Sequence, residues 1–442
     1  MSGDYGELLA AFKRRLPEER LEALGRKTSF IRRLRRVTPS LFVWAVVFSR
    51  FGSGRPAFER ARHWFARLSG IELFPRPFQM RFKSAAAVKL MEAAFEQAVA
   101  PWRRRPRLRH VLGKHFPDVV AWDTTAIQLD DTLRKHFKGL RTTASQLKVL
   151  LGLSLFGLVP LSARLVAGNH SDHKLELPIE LLQKGTLVLF DKGFVAYDRL
   201  RRLDAARMKY LCPMRIHAHA WITQVHAGPS RVRKALKNSP SGVALRDLLP
   251  KDKRIRKTWD VEVTVRPTAH HVERTPVSMR LVIVPGRKGE QRPYLTNLDT
   301  RWRPEALREL YRLRWQIELV FKELKQDLNL ETVPTKDPHA AQVFIWASLI
   351  ALTISRSVAC ALGPIFKKPG FAAPVRPAVV TRELRAAVPL IARALLARSR
   401  RTVGELEAAV VEFLQAALRP RSKRRDSFAT LENLAPSRTL AA

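Results

Sequence analysis

The sequence predicts an α/β protein, and three observations carry that prediction. Two short apolar runs, each closed by an aspartate and turn residues, read as buried strands. The segment from Tyr311 to Lys325, YRLRWQIELVFKELK, keeps a helical period and reads as one helix. From about Ala205 to Thr300 the pattern changes to alternating strands, while both ends of the 442-residue chain read as helical.

The first hundred residues are expected to be helical. Leu8, Leu9, Phe12 and Leu16 give a first amphipathic period, and Ser29 to Arg36 form a dense basic cluster. Pro56 to Ser69 is a helix with Phe58, Ala61, Trp64, Phe65 and Leu68 on one face. Gly70 to Pro77 breaks it, and Phe78 to Ala98 resumes. Helix, break, helix with basic faces suits either a helix-turn-helix-like nucleic-acid reader or a plain bundle with solvated arginines.

The sheet should begin near Pro117. Val119 to Trp122 is apolar, ends at Asp123, and is followed by Thr124-Thr125. Leu147 to Leu155, a turn at Phe156-Gly157-Leu158, and Pro160 to Val166 form a hairpin. Gly168 to Gly185 holds a loop and a helix. Thr186 to Phe190 then delivers Asp191, followed by Lys192-Gly193-Phe194, where Gly193 allows a sharp turn. In the alternating region Trp259, Val261, Val263 and Val265 share one face, and Met279, Leu281 and Ile283 share another. The basic linker Lys251 to Lys257 lies nearby. Ala340 to Ser355 is uncharged but short of the ~20 residues of a membrane span, so it reads as a buried helix under the sheet. Beyond Gly363 the chain is helical and Ala-rich, with a basic tail at Arg419, Arg421, Lys423, Arg424 and Arg425.

Composition narrows the class. With 80 Lys+Arg against 39 Asp+Glu, the formal charge of +41 favours a polyanionic partner. A hydrophobic fraction of 46% excludes a disordered basic protein. Cys212 and Cys360 alone exclude a disulfide framework and are expected to pack as small apolar residues. The segment MSGDYGELLAAFKRR lacks the apolar stretch of a secretion signal, so a cytoplasmic location is expected.

The candidate chemistry lies on three segments. At about 100° per residue, Tyr311, Arg314, Glu318 and Lys325 fall within roughly 60° of one another on a helix. Leu310, Leu313, Ile317, Val320, Phe321, Leu324 and Leu328 fill the neighbouring face. A carboxylate flanked by two cations and a phenol suits the presentation of a metal ligand to a phosphate backbone; the plain alternative is a solvated amphipathic face. Asp123 and Asp191 end strands, where helix-covered sheets place their chemistry. Three carboxylates make a hard oxygen set, suited to Mg²⁺ or Mn²⁺ rather than zinc. His170-Ser171-Asp172-His173 lacks further ligands and reads as a helix cap. Asp130-Asp131 is followed by no turn like Lys192-Gly193 and reads as a loop.

Asp123-Thr124-Thr125, Asp191-Lys192-Gly193-Phe194 and the Tyr-x2-Arg-x3-Glu-x6-Lys pattern at 311–325 resemble the DDE transposases of the IS4 group of bacterial insertion sequences. Tyr294 to Leu298 and Arg314 to Glu318 strengthen the likeness, which covers about residues 115–355. The resemblance implies a ribonuclease-H-like mixed sheet flanked by helices and interrupted by a β-rich insertion. It implies a helical DNA-binding region at 1–100, a catalytic core at 101–204 and 301–362, the insertion at 205–300, and a helical region with a basic tail at 363–442. It makes Asp123, Asp191 and Glu318 a catalytic triad for two Mg²⁺ or Mn²⁺ ions per site, with Asp123 bridging both. Tyr311, Arg314 and Lys325 become phosphate contacts, while Thr124 and Thr125 either bond a phosphate or cap the turn.

Trp315 is expected to pack against the insertion. Trp259 and Tyr294 are candidates for an aromatic that holds a flipped base, but neither sits in a specific pattern, and the structural role is preferred for each. The implied partners are double-stranded DNA, as transposon ends and target, and a second copy in a homodimer meeting through Val375 to Leu418, with no membrane. The implied location is bacterial, nucleoid-associated cytoplasm. An endonuclease without strand transfer, or an inactive DNA-binding relic, would share parts of this pattern.

Overall fold

The computed structural model describes residues 15–396 apart from 34–35, 53, 104–110, 141–143, 215–219, 240, 251–253, 266–275 and 366–376, together with a few residues between 404 and 412. The expected period through Leu8 and Phe12, part of the 251–257 linker and the basic tail lie outside the described residues.

The chain opens with helices α1 (Glu18–Lys27), α2 (Pro39–Phe48), α3 (Ala57–Ser69), α4 (Pro75–Met80) and α5 (Ala85–Arg103). Thr38 caps α2 by accepting from Leu41 N, and Pro39 sits at its first position. Gly70 ends α3 at φ 69°, the left-handed conformation that favours glycine. The single helix expected from Phe78 to Ala98 is split. Phe78 belongs to α4, and Ser84 Oγ starts α5 by accepting from Ala87 N at 3.1 Å.

The sheet follows. Strand β1 (Val119–Gln128) pairs antiparallel with β2 (Gln146–Ser154), and β2 with β3 (Val159–Ala167), as a meander. Strand β4 (Leu187–Phe190) then adds parallel to β1, helix α6 (Tyr197–Ala205) crosses over, and β5 (Lys209–Pro213) adds parallel to β4. An order of β3-β2-β1-β4-β5 with these directions is the ribonuclease-H-like arrangement. The helix expected between Gly168 and Gly185 is replaced by two 3₁₀ turns, Asp172–Lys174 and Ile179–Leu181. Leu175, Leu177 and Ile179 alternate inward there and Pro178 supplies no N–H, so the segment stays extended.

Strands β6 (Ala220–Ala227), β7 (Val243–Ala244), β8 (Trp259–Val265), β9 (Val277–Pro285) and β10 (Gln291–Thr296) are accompanied by helices α7 (Ser230–Asn238) and α8 (Leu245–Leu248). They continue the same ten-stranded sheet, because β10 pairs antiparallel with β5. Strand β5, placed by sequence in the insertion, is therefore bonded to the core sheet. Asp260 and Arg280 form a buried two-point ion pair at 2.8 and 2.7 Å that ties β8 to β9.

The segment read as one helix at 311–325 is two: α9 (Pro304–Arg312) and α10 (Trp315–Gln326). At the joint, Leu313 N, Arg314 N, Gln316 N and Ile317 N each bond to the carbonyl three residues back. This is a 3₁₀ turn, in which residues three apart eclipse. Helix α11 (Pro338–Ile365) is long and apolar enough to cross a membrane, yet it is buried inside the fold. It packs mainly on α5, with further contacts to α2, β3 and α12 (Pro377–Leu396). Its Arg356 holds Glu323 of α10 through bonds of 2.9 and 2.6 Å, fixing the far side of that helix.

Alternation divides the core. Val119, Ala121, Leu187 and Leu189 belong to the cluster that contains Ile317, Val320 and Leu324 of α10. Val120, Trp122, Val188 and Phe190 belong to the cluster on the other face.

Candidate active site

The sheet register builds the site. β1 and β4 run parallel from Val119 opposite Leu187 to Trp122 opposite Phe190. One step further come Asp123, still within β1, and Asp191, the residue that follows β4, so the two continue chain directions that lie about 4.8 Å apart in the sheet. Asp191 keeps an extended backbone at φ −77°, ψ 166°, so the alternation carries through it. Both aspartates therefore lie on the face that α10 covers. Asp123 does not end its strand, as the sequence suggested. β1 runs on to Gln128 because β2 still pairs with it, and only the parallel ladder to β4 stops there.

Helix α10 brings Glu318 over this point. Arg314 Nη1 donates to Asp123 Oδ2 at 2.9 Å, and Arg314 Nη2 donates to Glu318 Oε1. Thr124 N donates to Asp123 Oδ1 at 2.8 Å. Burial pushes the Asp123 carboxyl up to about 6, against the Thr124 bond and Arg314, and the charges of Asp191 and Glu318 push the same way. Tyr311 sits one 3₁₀ turn before Arg314, whose guanidinium lies 5.9 Å from the ring centre. Burial, the largest cause, raises the Tyr311 phenol above its ordinary value, so it stays protonated.

The groove beside these groups encloses about 390 Å³ and is lined by Asp123, Thr124, Thr125, Glu318, Phe321, Lys322, Lys325, Gln326 and Glu331. Lys325 lies along it and is paired with Glu331 at 2.7 Å. A second, more enclosed cavity surrounds Asp118 and Trp102 at the other end of β1, away from the carboxylates.

Arg314 thus contacts Asp123, Glu318 and Tyr311, Asp191 is the register neighbour of Asp123, and Lys325 stands further along the groove. Among the described residues no three acidic, His or Cys side chains are preassembled at metal-holding distance; Arg314 lies between two of the acids instead. The donor set nonetheless fits a hard divalent cation. It consists of carboxylate oxygens that crowd one another electrostatically around one guanidinium.

The structure also places the other residues that the sequence singled out. Trp315 is 57% exposed rather than packed on the insertion. Trp259 is buried within the sheet core, and Tyr294 packs its ring 5.2 Å from Tyr311. Gly193 does not adopt a glycine-only conformation, and a Cβ there would make ordinary contact with Asp172 at 3.6 Å. Asp130 caps its own turn by accepting from Thr132 N at 3.0 Å.

Sequence reasoning missed a buttress. Asp172 Oδ1 accepts from Thr124 Oγ at 3.2 Å and from Lys148 Nζ at 3.1 Å, and Lys148 also donates to His170 O. Asp172 thus ties its own segment to β1 beside Asp123 and to β2, rather than capping a helix. The signal was Lys148, a cation inside an apolar strand, which requires a buried partner.

Residues 114–354 match the family model described as the transposase DDE domain. The chain is 21% identical over 378 residues to the transposase of insertion sequence element IS231F from Bacillus thuringiensis subsp. israelensis, covering 78% of each protein. It is 23% identical over 356 residues to the transposase InsG of IS4 from Escherichia coli K12, covering 77% of this chain and 74% of that one. Among solved structures it is similar to the piggyBac transposase synaptic complex with hairpin DNA, with TM-score 0.43 and 9% identity over 98% of this chain and 86% of that chain.

Proposed function

The chain belongs to the transposase DDE domain family, and from that membership we propose that it cuts DNA at the ends of an insertion sequence and joins the freed 3′-hydroxyls to target DNA. The observation that carries this reading is the register step that sets Asp123 beside Asp191 under Glu318.

Asp123, Asp191 and Glu318 would hold Mg²⁺ or Mn²⁺, two ions per site. When bound, such a pair supplies Lewis acidity that activates a water or 3′-hydroxyl and stabilises the leaving oxygen. The protein's own groups do the positioning. Arg314 carries a planar fork able to hold a phosphate at two points, and Lys325 adds a point charge. The protonated Tyr311 phenol keeps a donor for a phosphate oxygen. Asp172 and Lys148 brace Thr124 from behind, so Asp123 keeps its direction as charge builds up in front of it.

The wider assignments follow the same reading. Residues 1–100 grip the DNA ends, 205–300 form an insertion grafted onto the core sheet, and 363–442 join two copies on DNA. The protein works in the bacterial cytoplasm on the nucleoid.

The test is cleavage of a labelled duplex carrying the inverted repeat that flanks the gene, in Mg²⁺ or EDTA, with wild type and Glu318→Ala. Metal-dependent nicking at the repeat boundary, lost in the variant, supports the proposal. Binding without cleavage under every metal overturns it. Capture of the nicked end by a second duplex separates a transposase from a nuclease that only cuts.

A further inference from the structure

From Arg62 to Lys83 the chain carries Arg62, Arg67, Arg76, Arg81 and Lys83 against the single acid Glu72. In the middle of this stretch Phe74 is 83% exposed. Its position is rigid on both sides. Phe74 is extended at φ −61°, ψ 146°, immediately before Pro75 at the first position of α4. The Leu73 carbonyl just before it accepts from Arg62 Nη1 at 3.2 Å, and Arg62 is itself held by Glu59 at 2.9 Å. Four residues later Phe78 is buried, packed against the rings of Phe65 and Phe82. A large ring is thus held out into water by a backbone anchored in the core.

The surroundings are cationic. Arg67, Arg76 and Lys83 are exposed. On α3, Arg67 lies with its guanidinium 5.5 Å from the Trp64 ring centre, and burial first, then the charges of Arg67, Arg55 and Arg62, depress the neighbouring His63 imidazole.

We infer that the Phe74 turn is a wedge that enters the minor groove of double-stranded DNA while the cations around it hold the flanking phosphates. The inference rests on the transposase reading and adds the element that engages the duplex. Apolar side chains that partly unstack a base step, rimmed by Arg and Lys, are how proteins kink DNA from the minor groove. Charge selects this occupant over a second copy of the chain, because a two-fold contact through this face would set the same cations against each other.

The test uses the full chain and a duplex carrying the flanking inverted repeat, labelled at both ends so that bending changes energy transfer. Binding is measured across a salt series for wild type, Phe74→Ala and Arg76→Ala. Phe74→Ala is expected to lose the bend and roughly tenfold in affinity, with an unchanged salt slope. Arg76→Ala is expected to lower that slope by about one while leaving the bend. Phe74 is exposed, so its variant keeps the wild-type fold and circular dichroism spectrum.

A Phe74→Ala protein that binds and bends DNA like wild type overturns the wedge, and if wild type still cuts the duplex the transposase reading stands. A wild type that neither binds nor cuts overturns both. Loss of self-association in Phe74→Ala, with DNA binding intact, reassigns the turn to a contact between copies and overturns the wedge.

Discussion

Replacing Asp123 by Asn should remove catalysis and make the metal-free protein more stable. The Asp123 carboxyl is raised by burial from its ordinary 3.8 to about 6. At pH 8 it is therefore charged in the folded chain at a cost. The interval corresponds to roughly 3 kcal/mol at about 1.4 kcal/mol per pH unit. Asn reproduces the neutral acid but has one acceptor oxygen for two donors, Arg314 Nη1 and Thr124 N. Losing one bond returns about 1 kcal/mol, so a net gain of roughly 1–2 kcal/mol is expected. A raised carboxyl contributes stability that is complete below the unfolded value and lost as pH rises through the folded value. At pH 5 wild type has recovered about 1.4 kcal/mol of that cost, and the advantage of Asn shrinks by the same amount. Urea unfolding in EDTA at pH 8 and pH 5 measures both. An Asn variant no more stable than wild type at pH 8, or a difference that ignores pH, would refute a desolvated, crowded Asp123.

Three further outcomes follow from the geometry. Glu331→Gln frees Lys325 from a partly exposed pair; such pairs contribute up to about 1 kcal/mol, so DNA affinity should rise about two- to fivefold in a gel-shift titration, with a steeper salt dependence. Gly152→Ala places a Cβ 2.6 Å from the Trp122 ring, one residue from Asp123; a loss of about 1–3 kcal/mol is expected in chemical denaturation, with cleavage falling alongside. Arg314→Lys keeps the charge but cannot reach Asp123 and Glu318 as a planar fork; cleavage rate should fall about a hundredfold or more, with DNA affinity changed by less than about threefold, read by single-turnover kinetics.

The strands were legible because each apolar run closes on a residue that cannot be buried cheaply. Val119 to Trp122 and Leu187 to Phe190 announce Asp123 and Asp191 in that way. What the sequence did not reveal is the pairing. Only the register of β1 on β4 makes the two acids neighbours, and a shift by one residue would turn one of them to the opposite face. The joint at Leu313 and Arg314 was hidden because both residues keep right-handed helical dihedrals, so apolar spacing passes through it unbroken. The exposure of Trp315 was hidden because a large aromatic is ordinarily expected to be buried, whereas Trp315 and Leu319, four residues apart on α10, both face solvent. Asp172, in a 3₁₀ turn, was legible only through Lys148, twenty-four residues away on β2.

The joint also bears on why the Tyr-x2-Arg-x3-Glu spacing works as a unit. On a continuous α-helix Tyr311 and Arg314 would stand about 60° apart. The 3₁₀ turn nearly eclipses them, so the phenol and guanidinium approach from one direction. Helix α10 then resumes, and Glu318 lies one α-turn beyond Arg314 on the same side. Arg314 is thereby placed where it neutralises Asp123 and Glu318 together. Without it, three carboxylates would face one another across a partly buried groove, and burial alone already pushes Asp123 up. The guanidinium that lets this carboxylate-lined groove fold is the same group proposed to grip a phosphate, so stability without DNA and the proposed grip on DNA would draw on a single side chain. A tighter carboxylate clamp on Arg314 would favour the first at the expense of the second.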